Sequence, residues 1–316
     1  MVTGVLDTNA YIIGENQSRD VHLQGLFPVN SLINHSCSAN TMCFARDSNS
    51  FTCRAVTDIK KGEELTTNYL HYQYHFFGLF YRQEELFKNW FFKCGCNRCR
   101  EFTESDALVC EECEQGRIKP LNMNPGAEWV CSTCNASRTY EDVMMVITNW
   151  KNIIDQTSKN DIKVLKELLQ NTLKVFGEKH YHILEVKRRI IENIGDLKGN
   201  NYEDLGEDWL EKKVEFCRDH LEIQRVIAPG LSEYRAYMSA HIAEPLYWLT
   251  KKRYISKKCS LEELNQTMEE IAQHLMLVIQ IWGPYCNKSR ERLKAENAMA
   301  MLEMVNNLYL HRNIKI

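Results

Sequence analysis

With 316 residues, the chain exceeds the roughly 250–300 at which a single hydrophobic core stops growing, so at least two domains are expected. Hydrophobic residues make up 44% and charged residues 26%, and no stretch approaches the roughly 18 consecutive apolar residues of a membrane span, which excludes a disordered chain and a membrane-spanning helix. A formal net charge of −3 gives no overall basic field for direct nucleic-acid binding, and the opening MVTGVLDTNAYIIG lacks the marks of a secretory signal, which points to the cytoplasm or nucleus.

Taken in chain order, Gly25 to Ile33 reads as an apolar, strand-like stretch that runs into the polar, turn-like Asn34-His35-Ser36-Cys37. Thr41 to Arg46 and Phe51 to Val56 flank Asp47-Ser48-Asn49-Ser50, a hairpin pattern. In His71-Tyr72-Gln73-Tyr74-His75-Phe76-Phe77 two histidines stand four apart, as metal ligands on a helix face would, but no third ligand follows at a fitting spacing. We read that stretch as packing aromatics. Composition changes near residue 140, after which Ile162, Leu165, Leu169, Leu173 and Phe176 recur at helical spacing before Gly177. Leu261, Leu264, Met268, Ile271, Leu275 and Val278 do the same, and Ser260 with Glu263 forms a capping-box pattern at their start. These stripes are core faces. The helices fall into apparent antiparallel pairs without a 34-residue period, so a tetratricopeptide-like assignment rests on shape. Lys187-Arg188-Arg189 and Lys251-Lys252-Arg253 are read as solvated faces. The fold class expected is α+β, a β-rich first part followed by an all-α part.

Ten of the thirteen cysteines lie between Cys37 and Cys134. Cys110-x-x-Cys113 and Cys131-x-x-Cys134 are separated by seventeen residues. Two residues between thiolates let both sulfurs of a tight knuckle face one ion, and two knuckles complete a zinc tetrahedron. Cys94, Cys96 and Cys99 supply three thiolates, so a closed site needs a fourth ligand from elsewhere. Cys37 is the candidate, with His35, Cys43 and Cys53 as alternatives; the last two are better read as strand residues packing in a core. Zinc there would tie the loop at 34–40 to the segment at 94–99.

Four stretches together resemble the SET-domain protein lysine methyltransferases, specifically the SET-and-MYND subfamily and its arthropod branch. They are Gly25-Leu26-Phe27-Pro28 through Asn34-His35-Ser36-Cys37 to Asn40, Gly62-Glu63-Glu64-Leu65-Thr66-Thr67-Asn68-Tyr69, the post-SET motif Cys94-x-Cys96-x-x-Cys99, and Pro229-Gly230-Leu231-Ser232 with Arg235. The resemblance implies methyl transfer from S-adenosylmethionine to a lysine of a protein or peptide, a histone tail among them, with two zinc ions. In-line displacement at a sulfonium needs a deprotonated amine, a narrow channel and partial negative charge around the methyl group, but little acid–base machinery. Tyr69 matches the catalytic tyrosine. Asn9, Asn34 and His35 match cofactor-holding residues, Phe92 matches an aromatic that packs on adenine, and Trp90 stands where a cofactor-contacting tyrosine is usual, so that its contact would be stacking without a hydroxyl.

On this resemblance the chain divides into the C-terminal part of a SET domain (1–93), a post-SET zinc region (94–140) and a helical domain (141–316). Ala39 and His71 depart from the family's proline and acidic residue. Its glycine-rich cofactor loop, first strands and MYND zinc module would precede Asn9, where this sequence has no residues for them. The expectation is therefore either a piece or alternative product of a longer enzyme, or a SET-derived scaffold that binds a peptide or partner protein without methylating it.

Overall fold

In a computed structural model, which describes residues 2–16, 21–47, 50–124, 126–195, 201–287 and 289–313, the chain forms two units. The first takes in Met1–His75, Leu86–Phe92 and Gly206–Ile316, the second Phe76–Glu85 and Lys93–Leu205. Among the described residues, strands occur only before Tyr140, and from there on the elements are helices alone. Among the described residues no helix is long and apolar enough to cross a membrane.

In the first unit, helix α1 (Val2–Asn9) leads into strand β1 (Ala10–Asn16), which pairs antiparallel with β2 (Val21–Leu26). The strand expected to continue to Ile33 stops at Leu26. Pro28 has no N–H to offer a ladder, and the chain tightens instead into a 3-10 turn, Asn30–Leu32, with the Ser31 N–H on the Phe27 carbonyl at 3.0 Å. β3 (Asn34–His35) pairs in parallel with β6 (Thr66–Thr67). The expected hairpin is present as β4 (Thr41–Ala45) and β5 (Phe51–Ala55), antiparallel, with Cys43 directly opposite Cys53. Its tip at Ser48 and Asn49 lies outside the described residues. Cys53 is exposed and so is not the core residue expected.

The same unit holds helices α6 (Glu207–Ile227), α7 (Glu233–Ile255), α8 (Leu261–Trp282) and α9 (Arg290–Asn313). Helix α8 begins with the capping box read from sequence: the Glu263 N–H donates to Ser260 Oγ at 3.2 Å and the Ser260 N–H to Glu263 Oε2 at 2.7 Å. Its stripe from Leu264 to Val278 is buried, each side chain removed from water stabilising by about 1.5–3 kcal/mol. The Pro229-Gly230-Leu231-Ser232 loop seats α7 against β5. Gly230 has φ +86°, a Cβ there would meet the Val56 carbonyl, and the Leu231 N–H donates to that carbonyl at 3.0 Å. Ser232 Oγ then caps α7 through the Arg235 N–H, while the Arg235 guanidinium returns to the Gly230 carbonyl. Lys251 lies 4.3 Å over the Trp248 ring and Arg253 pairs with Glu211 at 2.9 Å, so this run covers an aromatic and joins two helices.

Helix α2 (Leu79–Trp90) runs from the second unit into the first. The second unit also contains a four-stranded antiparallel ribbon, ordered β10-β9-β8-β7, built from β7 (Leu108–Val109), β8 (Arg117–Pro120), β9 (Trp129–Cys131) and β10 (Ser137–Arg138). Helices α3 (Tyr140–Gln156), α4 (Ile162–Val175) and α5 (Tyr181–Asn193) follow. Here the sequence reading of Lys187-Arg188-Arg189 as a solvated face is overturned for both arginines. Arg188 and Arg189 are buried and share Glu185, at 2.8 and 2.7 Å, while Arg189 also reaches Asp155 at 3.0 Å. Glu185 sits three and four residues earlier on the same helix, and a buried guanidinium needs such a carboxylate.

Candidate functional site

Tyr69 follows β6 in the first unit and is fixed twice. Its hydroxyl donates to the Ile33 carbonyl at 2.7 Å, and its backbone N–H donates to His35 Nδ1 at 3.0 Å. Because His35 Nδ1 accepts, the ring hydrogen must sit on Nε2, which lies 3.3 Å from Cys37 Sγ and therefore donates to that sulfur. Burial raises the Tyr69 pKa, so the phenol stays protonated at neutral pH and keeps its bond to Ile33.

Three rings surround it. The centroids of His35, Trp90 and Phe92 stand 5.2, 5.4 and 6.2 Å from that of Tyr69, and His35 and Phe92 are 5.9 Å apart. Trp90 ends α2, and Phe91 between the two aromatics takes the left-handed conformation, φ 62°, at 73% exposure. That conformation costs a non-glycine residue about 1–2 kcal/mol. It turns the chain so that Trp90 and Phe92 both approach Tyr69 while Phe91 faces water.

Tyr69, Trp90 and Asn9 line one cavity of about 370 Å³. Asn34 is exposed and its amide donates to Glu64 Oε1 at 2.7 Å, so its side chain is turned to the loop before β6. The anchor of that loop is Asn40, which the sequence reading passed over as the end of a motif. It is buried, accepts from the Thr66 N–H at 2.9 Å and donates to the Glu64 carbonyl at 2.8 Å, tying the residue before β4 to the start of β6. Tyr11 was missed as well. It lines the cavity, donates to the Asn30 carbonyl at 3.0 Å and packs on Phe51 at 4.4 Å. His71 caps the 3-10 turn Tyr72–Tyr74, and His75 bonds the Leu70 carbonyl at 3.2 Å, so these histidines serve the backbone.

In the second unit the sulfurs of Cys110, Cys113, Cys131 and Cys134 all lie within 4.8 Å of one another. Cys110 to Cys134 is 3.6 Å and Cys113 to Cys131 is 3.7 Å, close to the edge of about 3.8 Å of a tetrahedron with 2.3 Å zinc–sulfur bonds. The two knuckles repeat each other. In each, the residue four after the first cysteine is left-handed (Glu114, φ 56°; Asn135, φ 60°), and its N–H returns to that cysteine's carbonyl. Backbone N–H groups of Cys134 and Thr133 lower the Cys131 thiol to about 6. A Cβ on Gly116 would strike Cys131 Sγ, so the first knuckle admits only glycine there.

Cys94, Cys96 and Cys99 likewise bring their sulfurs within 4.8 Å of one another. The Gln83 side-chain amide clamps the Cys94 backbone, donating to its carbonyl at 2.7 Å and accepting from its N–H at 2.9 Å, and the buried Arg82 guanidinium points at Cys99 Sγ from 3.7 Å. Two cysteine groups can therefore hold zinc. Cys37 lies in the first unit and is 1% exposed.

Residues 4–70 match the SET domain family. The SET domain-containing protein SmydA-8, isoform A, of Drosophila melanogaster is 29% identical over 60% of this chain and 42% of its own length. The histone-lysine N-methyltransferase ASHR1 of Arabidopsis thaliana is 25% identical over 70% of this chain and 46% of its own length. The human protein-lysine N-methyltransferase SMYD4 is 34% identical over 40% of this chain and 14% of its own length. The chain thus spans less than half the length of each of these relatives.

Proposed function

We propose that this chain, a SET-domain protein of the SET-and-MYND type, carries the lysine-binding and catalytic face of a protein-lysine N-methyltransferase, with Tyr69 as its catalytic residue. SET methyltransferases take the methyl group from S-adenosylmethionine, which when bound supplies an electrophilic sulfonium methyl. The observation that carries the reading is the Tyr69 hydroxyl, held by Ile33 at 2.7 Å on the wall of a 370 Å³ cavity lined by aromatic side chains. Its hydrogen is committed to the carbonyl, which leaves oxygen lone pairs to orient an incoming amine, and nearby aromatic faces lower the energy of a cationic methyl centre. Trp90 and Phe92 exclude water around the phenol, and His35 fixes the Tyr69 backbone. Asn9 on the cavity wall would contact the cofactor, as would the backbone of Asn34.

Two zinc ions complete the reading. One takes Cys110, Cys113, Cys131 and Cys134; the other takes Cys94, Cys96 and Cys99, and the sequence offers Cys37 as its fourth ligand. The burial of Cys37 and the His35 N–H donated to its sulfur support that assignment.

A second reading, a SET-derived scaffold that binds a peptide or partner protein, is favoured by the Asn34 and Asn9 amides. Each donates to a protein partner, Glu64 and Thr8, at 2.7 Å. Calorimetric titration of the chain with S-adenosylmethionine separates the two. Micromolar binding that Trp90→Ala weakens supports the transferase, and no heat at millimolar cofactor supports the scaffold.

A further inference from the structure

The cavity below Tyr69 is not built from SET strands alone. Its far wall comes from the start of α7 and the segment entering α9, and this wall carries Glu233, Tyr285, Arg290 and Glu291. Glu233 is the first residue of α7, just past the Ser232 cap, where the helix dipole favours a carboxylate. Tyr285, stacked on Phe44 at 4.4 Å and 7°, donates its hydroxyl to Glu233 Oε1, which fixes one carboxylate oxygen. The buried tyrosine anchors the acid, and the acid in turn faces the cavity that Tyr69 lines. The wall thus carries two carboxyl groups, Glu233 and Glu291, against the single guanidinium of Arg290; Glu233 alone keeps its proton up to near neutral pH, and an ammonium placed beside it favours the ionised form.

From this we infer that Glu233 is a specificity-determining residue, the counter-charge that draws a primary alkylammonium side chain, a lysine still carrying its proton, into the Tyr69 cavity, with Tyr285 as its positioning residue. The inference rests on the cavity being the lysine site proposed above. It assigns charge selection to the helical half of the unit. Attraction between an ammonium and the Glu233 carboxylate that it helps to ionise, both partly removed from water, exceeds that between exposed charges, so a side chain without the charge is disfavoured.

The test uses the whole chain and two fluorescein-labelled peptides of glycine, serine and three lysines, identical except that one has every lysine acetylated. Anisotropy reports binding with no need for methyl transfer, so a chain that fails to methylate but keeps the preference removes the transferase reading and leaves this one standing. The wild type is expected to favour the free-lysine peptide by about tenfold or more. Glu233→Gln should abolish most of that preference and leave the acetylated peptide's affinity unchanged, and Tyr285→Phe should reduce it about threefold. Glu262→Gln, the same loss of charge on the exposed first turn of α8, should leave it intact. Equal binding of both peptides by the wild type, or a preference that survives Glu233→Gln, overturns the inference; so does an equal loss in Glu262→Gln, which would mean net charge alone. Thermal melts of each variant confirm folding, and if Glu233→Gln does not fold, Tyr285→Phe with unchanged preference is sufficient to reject it.

Discussion

Glu233 shows how far a single side chain's surroundings can move its chemistry. Burial, with Glu291 nearby adding repulsion and the Tyr285 bond opposing both, raises its carboxyl from the usual 4.5 to about 7. Between those two values the folded chain holds a proton that the unfolded chain releases. Stability associated with Glu233 is therefore full below about pH 4.5 and is lost as pH rises through about 7, on the order of 3 kcal/mol over the window. Glu233→Gln removes the titration, so its melting temperature should gain on the wild type between pH 5 and pH 8; a constant difference would show that the carboxyl is already ionised at pH 5. Nothing local in the sequence marks this residue, since Tyr285 is 52 positions away. Tyr69 could be singled out as a candidate because its neighbours along the chain form a motif. Arg188 and Arg189 were misread because a run of like charge looks solvated until Glu185, on the same helix, is seen to be buried with them. Glu185→Ala should cost about 3–5 kcal/mol in chemical denaturation, as for a buried ion network that loses its shared partner; a cost below 1 kcal/mol would return those arginines to the surface.

Elements were read well where the signal was periodic or covalently spaced. Helix α8 and its capping box emerged from stripe and cap together, and Ser260→Ala should cost about 1 kcal/mol. The β4–β5 hairpin was found from its flanks. β2 was drawn too long because apolar content says nothing about the missing N–H of Pro28. The cysteine spacing paired the ribbon's four thiols but did not show the left-handed Glu114 and Asn135 that make its knuckles alike. If zinc holds this ribbon, purified chain contains two ions, and Cys113→Ser retains one while hydrogen exchange quickens over 108–138 and is unchanged over α6 to α9. A ribbon that stays protected in Cys113→Ser would mean that β7 to β10 hold together without the metal. Cys37→Ser should also release one ion; retention of both would exclude Cys37 as the fourth ligand.

At the scale of the whole molecule the first unit draws on the beginning, the middle and the end of the chain. No composition shift signals that arrangement, because it depends on contacts such as Arg54 to the Gln280 carbonyl at 2.7 Å and Cys286 to the Ala45 carbonyl at 3.1 Å. Gly230 is the sequence's one visible trace of it: only glycine permits both the φ of +86° and the approach to Val56. The consequence for function is that Tyr69, which follows β6, and Glu233, which opens α7, border one cavity. The most direct measurement is incorporation of labelled methyl from S-adenosylmethionine into a protein mixture by this chain and by Tyr69→Phe. Incorporation by the wild type that falls at least about a hundredfold in Tyr69→Phe is the predicted result, and equal incorporation by the two would contradict the role of Tyr69.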